Sequence, residues 1–236
     1  MGIKKHIPNA ITCCNLFSGC IACVMAYRCE FGLAMAFIVA GAVFDFFDGM
    51  VARILGVSSP LGVQMDSLAD DITFGIAPAT IVFSFLQNEM LYPKYMSEVM
   101  FLLPYMAFLV AVFSACRLAK FNIDKRQTTT FIGLPTPANA LFWSSLVTGG
   151  GEWLKELNHG WLLVLALILL FSYLLVSEIP MFSMKFKNLS WRSNRIRYIF
   201  IICSLPMFLL GVLAPVAIIS WYLFLSVALH LRGTKV

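Results

Sequence analysis

Charge is scarce in this chain. Asp, Glu, Lys and Arg supply only 12% of 236 residues, against 60% hydrophobic residues and a mean hydropathy of +0.86. That balance excludes an ordinary soluble domain. Histidine is rarer still, with His6, His159 and His230 scattered along the chain. Cys20-x-x-Cys23 therefore lacks the second ligand pair that a zinc or redox reading requires. The seven cysteines read instead as small packing residues inside apolar helices. No small-x-small cleavage site follows the first apolar stretch behind Lys4 and Lys5, and further spans come after it, so it reads as a retained helix. There is neither an internal repeat nor a low-complexity segment.

What is present is a series of apolar runs. At roughly 20 residues per span, they predict about eight transmembrane helices, near 9–27, 31–48, 61–86, 99–121, 137–148, 160–177, 196–210 and 211–229. The fifth is short and the last two join through Gly211, so a count of six or seven stays open. The fold class is all-α, a polytopic membrane helix bundle forming a single integral-membrane domain over 1–236. Its function must lie in the bundle or at its rim.

The net charge of +5 is a topological signal rather than a nucleic-acid footprint. With the N-terminus inside and eight spans following, 14 of the 17 basic residues fall on one side. Only Arg28, Lys94 and Lys155 fall on the other. The positive-inside rule then places both termini in the cytosol, together with the turn between the second and third helices. The basic residues from Lys185 to Arg197 read as topological anchors or as attraction to anionic lipid.

Into this apolar background the sequence sets five of its twelve acidic residues within 27 positions: Asp45, Asp48, Asp66, Asp70 and Asp71. Carboxylates in a lipid setting are expensive and call for a partner. At 100° per residue, Asp45, Asp48, Gly49 and Ala52 share one arc at the cytosolic end of the second helix. Gly62, Asp66 and Asp70 form a stripe on the third, continued by Thr73 and Ala77. Asp71 points away from that stripe, as a solvated or supporting charge. Four carboxylates converging from two helices repel one another without a cation. All-oxygen ligation suits Mg²⁺ or Mn²⁺, and two such ions can bridge a diphosphate. Arg53, one turn beyond Asp48, is placed to contact a phosphate through its planar fork. Gly49 lets a bulky group approach the backbone. The edge position argues against a cation carrier, which holds its ions near the bilayer midplane.

The ordered string Asp45-x2-Asp48-Gly49-x2-Ala52-Arg53-x8-Gly62-x3-Asp66-x3-Asp70 resembles the signature of the CDP-alcohol phosphatidyltransferase family at every position. Pro8-Asn9, Thr12 and Asn15 resemble that family's first-helix entry. The segments 66–79, 117–122 and 133–138 resemble its phosphatidylserine synthase branch. The resemblance implies a six-helix core, about 8–180 here, with an additional C-terminal helix pair at about 196–231, and a homodimer. It implies transfer of the phosphatidyl group from CDP-diacylglycerol to L-serine, giving phosphatidylserine and CMP. It assigns Asp45, Asp48, Asp66 and Asp70 to the divalent metals, and Asp70 also to general base catalysis. Asn9, Thr12, Gly49, Arg53, Ser59 and Gly62 are expected to contact the CDP-lipid. Arg117, Lys120 and Asn122 are candidates for the acceptor headgroup, with Arg117 on its carboxylate. The remaining alternatives are glycerol phosphate, inositol or inositol phosphate as acceptor, or a divalent-cation carrier. Acceptor phosphates call for basic residues near Asp66–Asp70, and none is there.

Overall fold

The computed structural model describes residues 6–92, 101–124, 131–182 and 190–231. Lys4, Lys5, Lys94, Lys125, Arg126, Lys185, Lys187, Arg232 and Lys235, which entered the topological reading, lie outside the described residues. The architecture is helical: α1 (His6–Tyr27), α2 (Phe31–Leu55), α3 (Pro60–Asn88), α4 (Leu103–Ile123), α5 (Thr136–Glu156), α6 (Gly160–Val176), α7 (Trp191–Ser204) and α8 (Pro206–Leu231). A two-residue antiparallel pairing, β1 (Phe131–Ile132) with β2 (Pro180–Met181), ties the approach to α5 to the segment after α6. Five helices, α1, α2, α3, α4 and α8, are long and apolar enough to cross a membrane. Large apolar side chains such as Phe17, Phe46, Leu169 and Leu209 are exposed on their outer faces. That is the surface of a protein whose solvent is lipid. The chain is an all-α integral membrane protein.

Three boundaries differ from the sequence expectation. Helix α2 runs on to Leu55 rather than ending at Asp48, because Gly56 (φ 61°) caps it in the left-handed conformation and returns its N–H to the Ala52 and Arg53 carbonyls. Asp45 and Asp48 therefore sit inside a helix, on a fixed backbone. Helix α5 extends to Glu156, well past Thr148. The break between the last two helices falls at Leu205–Pro206, where proline has no N–H to continue α7. Gly211 instead kinks the 3₁₀ opening turn of α8.

The turn between α2 and α3 explains the eight-residue gap inside the acidic signature. Gly56 stops one helix, and Ser59 starts the next by accepting the Gly62 N–H at 3.0 Å, with Pro60 at the first helical position. Helix α1 lies against both α2 and α3. Its buried positions Pro8, Thr12, Asn15, Ser18, Ala22 and Ala26 follow a 3–4 spacing, polar toward its start and small toward its end. Within α3 the segment Asp71–Ile76 widens to a π-turn. There Thr73 Oγ1 donates to the Asn15 carbonyl at 3.1 Å. A Cβ on Gly41 of α2 would meet Thr73 Cγ2 at 2.5 Å and Asn15 Oδ1 at 2.9 Å, so glycine is what lets the three helices close on one another. Beyond the π-turn α3 is buried through Ala77, Ile81, Val82, Phe85 and Leu86, and it packs with α5 around Trp143.

Candidate active site

The α2–α3 turn brings the two acidic stripes face to face. Carboxylate oxygens of Asp45, Asp48 and Asp66 all lie within 4.8 Å of one another. At an effective dielectric near 20, each pair of charges at that range repels by about 3–4 kcal/mol. Asp48 is buried, and Asp66 Oδ1 is buried with no hydrogen-bond partner. An all-oxygen donor set with an unspent oxygen fits a hard divalent cation. Asp70 lies outside this triad. It receives a hydrogen bond from Asn15 Nδ2 on Oδ1 at 3.1 Å, one helical turn deeper than Asp66.

A cavity of about 150 Å³ opens beside the triad, walled by Asp48 and Asp66 and by Asn9, Gly49, Ser59 and Gly62. Pro8 and Thr12 of α1 and Val57 and Ser58 of the turn complete it. Five of the six residues expected to contact a CDP-lipid thus share one wall. Two of them also do other work. The Thr12 hydroxyl donates to Asp48 Oδ2 at 2.6 Å, a short charge-assisted bond that orients the carboxylate. Ser59 Oγ caps α3. Arg53, the sixth, is exposed and folds back toward Gly49, where a Cβ would lie 3.4 Å from its Nη1.

Asp71 corrects the sequence reading in part. It does point away from the triad, but its Oδ1 is buried without a partner beside Gly75 and Ser114, not solvated. The acceptor candidates separate. Arg117 is 8% exposed, donates from Nη1 to Thr136 Oγ1 at 3.5 Å, stands over the Phe121 ring and is within electrostatic reach of Asp70. Lys120 pairs with Glu178 at the exposed rim, 3.2 Å apart. Asn122 donates to Ser67 Oγ at 2.8 Å, holding the end of α4 to α3. Asn15 as partner of Asp70 was missed. Its signal was present, because Asn15 follows Thr12 by one turn on the same face.

The sequence matches the CDP-alcohol phosphatidyltransferase family model over residues 5–171, well over half of the chain. Similar curated proteins carry the name CDP-diacylglycerol–serine O-phosphatidyltransferase. The Bacillus subtilis protein is 37% identical over 137 residues, which cover 56% of this chain and 70% of the relative. The Helicobacter pylori protein is 30% identical over 200 residues, 84% of this chain and 80% of the relative. The Methanocaldococcus jannaschii protein is 30% identical over 173 residues, 73% and 72% respectively. The chain belongs to the CDP-alcohol phosphatidyltransferase family.

Proposed function

We propose that this member of the family is a CDP-diacylglycerol–serine O-phosphatidyltransferase, acting at the cytosolic face of the membrane. The reaction joins the serine hydroxyl oxygen to the phosphorus that carries diacylglycerol, and the bond from that phosphorus to CMP breaks. A serine hydroxyl is a poor nucleophile until a base takes its proton. Asp70 is that base, held toward the acceptor by the Asn15 amide. Asp45, Asp48, Asp66 and Asp70 would hold the divalent ions, and Thr12 orients the Asp48 carboxylate through its bond to Oδ2. Bound there, Mg²⁺ or Mn²⁺, two ions in this reading, neutralises the diphosphate and the departing CMP. Arg53 over Gly49 contacts a phosphate, and Asn9, Thr12, Ser59 and Gly62 line the cytidine side of the cavity. Arg117 meets the acceptor carboxylate, while Lys120 and Asn122 brace the rim around it.

The convergence of three carboxylates, two of them walling a cavity at one end of the bundle, carries this reading. Such a site lets acyl chains stay in the bilayer while CMP and serine exchange with water. We further read both termini as cytosolic, the segment 8–180 as the family core, 196–231 as an added helix pair, and the working unit as a homodimer. The test is direct. Purified protein is incubated with CDP-diacylglycerol, Mn²⁺ or Mg²⁺ and a panel of serine, glycerol phosphate, inositol and inositol phosphate. CMP release with serine, and phosphatidylserine as product, is expected; no CMP release with any acceptor overturns the proposal. Asp70→Asn is expected to lose turnover while still binding CDP-diacylglycerol, and unchanged turnover removes its role as base.

A further inference from the structure

Asn139, at the start of α5, is 0% exposed, yet neither its Nδ2 nor its Oδ1 has a hydrogen-bond partner. A buried amide with both ends unmet is costly and calls for an explanation. It does not stand alone. Thr136, one turn earlier on α5, accepts from Arg117, whose Nε is also buried and unpartnered. Ser114, one turn before Arg117 on α4, is 0% exposed with an unpartnered Oγ. The opening of α5 and the second half of α4 thus present an unspent cation, an amide and a hydroxyl beside the π-turn that follows Asp70. The complement of such a set is a small zwitterion, because the cation takes an anionic group and the amide oxygen takes a donor.

We propose that Asn139 is a specificity-determining contact for the acceptor's α-amino group, its Oδ1 accepting from the ammonium while Arg117 holds the carboxylate. The assignment rests on the transferase reading above and names what its acceptor side recognises. A neutral amide suits this place. A carboxylate there would pair with Arg117 and add another negative charge near Asp70 and the triad. With both ends of the amino acid held on α4 and α5, its hydroxyl is left for Asp70, which directly precedes the π-turn that α4 packs against. Binding sites whose polar groups need a substrate partner reject analogues that lack it.

The experiment uses the full-length protein and three acceptors: L-serine, ethanolamine, which lacks the carboxylate, and 3-hydroxypropionate, which lacks the ammonium. CMP release is followed for wild type, Asn139→Ala, Asn139→Ser and Arg117→Ala, with KM for CDP-diacylglycerol measured in each. Asn139→Ala is expected to raise KM for serine about 10–100-fold. Its kcat/KM for 3-hydroxypropionate and its KM for CDP-diacylglycerol are expected to stay near wild type. Arg117→Ala is expected to erase the preference for serine over ethanolamine instead. Equal losses with serine and 3-hydroxypropionate in Asn139→Ala assign the residue to packing or to a trapped water and overturn the proposal. If that variant is inactive with every acceptor, Asn139→Ser decides, since it keeps a hydrogen-bonding oxygen. A serine preference between those of wild type and of a non-discriminating enzyme supports the contact, and an unchanged preference overturns it. Absence of CMP release by wild type overturns the transferase reading itself, and this assignment with it.

Discussion

The two ends of α2 and α3 both carry clustered acids, and they resolve the repulsion differently. Near one end, Asp45, Asp48 and Asp66 converge, and none of the ion pairs among the described residues reaches them. At the other, Glu30, Glu89 and Glu152 surround Lys155 at a cavity of about 370 Å³. There Lys155 Nζ lies 3.1 Å from Glu89 and 2.7 Å from Glu152. The second cluster brings its own counter-charge and acts as a clamp between α3 and α5. The first leaves its charge to be met from outside. An acidic cluster is informative about function when no cation among the described residues completes it, and the two ends differ first in that respect.

The sharpest way to break the comparison is to remove one acid from the uncompensated end. Asp48→Asn is expected to lower CMP release by about 10²–10³-fold, the usual cost of removing one pre-placed electrostatic contact. Mn²⁺ binding read by electron paramagnetic resonance is expected to disappear in the same variant. If Mn²⁺ binding survives, the triad is not the metal site. A second measurement needs no mutation. Divalent ions bind the folded state only, so Mg²⁺ at 100 times its Kd is expected to add about 2.7 kcal/mol. For a chain of this size that is roughly 5–10 °C in Tm. Chelation reverses the gain, and Asp45→Asn is expected to show none of it. The same shift in wild type and Asp45→Asn would place the ion elsewhere.

Much of the first end was legible in the sequence. The spacing of Asp45, Asp48, Asp66 and Asp70 is helical, and helical phase alone put the acids on facing stripes. Gly56, Ser59 and Pro60 are the local stop and start signals of the turn between the stripes, although the apolar run by itself ends the second helix at Asp48. The failures have a common cause. Helix ends depend on capping geometry, which carried α2 past Asp48 and moved the last break from Gly211 to Pro206. The π-turn at Asp71–Ile76 shifts helical phase where α3 packs against α1 and α4. The destinations of Asn15, Thr12 and Asn139 are tertiary facts, invisible to periodicity within one helix. The clamp at the far end was missed for the same reason, because Glu89 and Lys155 are 66 residues apart.

Two substitutions behind the triad sharpen the contrast by leaving every acid in place. Thr12→Val removes the 2.6 Å bond to Asp48 while keeping side-chain volume. Partners of this kind typically change metal affinity by about 10–100-fold. Mn²⁺ affinity and CMP release are therefore expected to fall together by that factor, with Tm nearly constant. Normal Mn²⁺ affinity would mean that Thr12 serves the helix rather than the carboxylate. Gly41→Ala acts one step further back. Its new Cβ presses first on Thr73 of the π-turn and then on Asn15, which holds Asp70. Overpacking of this sort costs about 1–3 kcal/mol, or roughly 2–10 °C in Tm. Turnover is expected to fall even with serine saturating, since Asp70 is the proposed base; unchanged turnover would mean that Asn15 does not position it.

The smallest expected effect belongs to the compensated end, and it is the control that gives the others meaning. Lys155 Nζ and its two glutamates are partly exposed, so their pairing is screened and contributes little. Lys155→Met, which keeps the aliphatic stem, is expected to lower Tm by less than about 4 °C. Turnover is expected to stay within about twofold of wild type, because α2 and α3 separate the clamp from Asp48 and Asp66 by more than about 20 Å at 1.5 Å per residue. Removing the cation also creates, at this end, a cluster of acids with no internal counter-charge. If charge deficit alone recruited metal, the variant would gain a second Mn²⁺ site. None is expected, because Glu152 is exposed and free to swing into solvent, whereas Asp48 is buried and tied to Thr12. A new site in Lys155→Met would show that unmet charge suffices. Its absence would show that the functional end depends on carboxylates that cannot move apart.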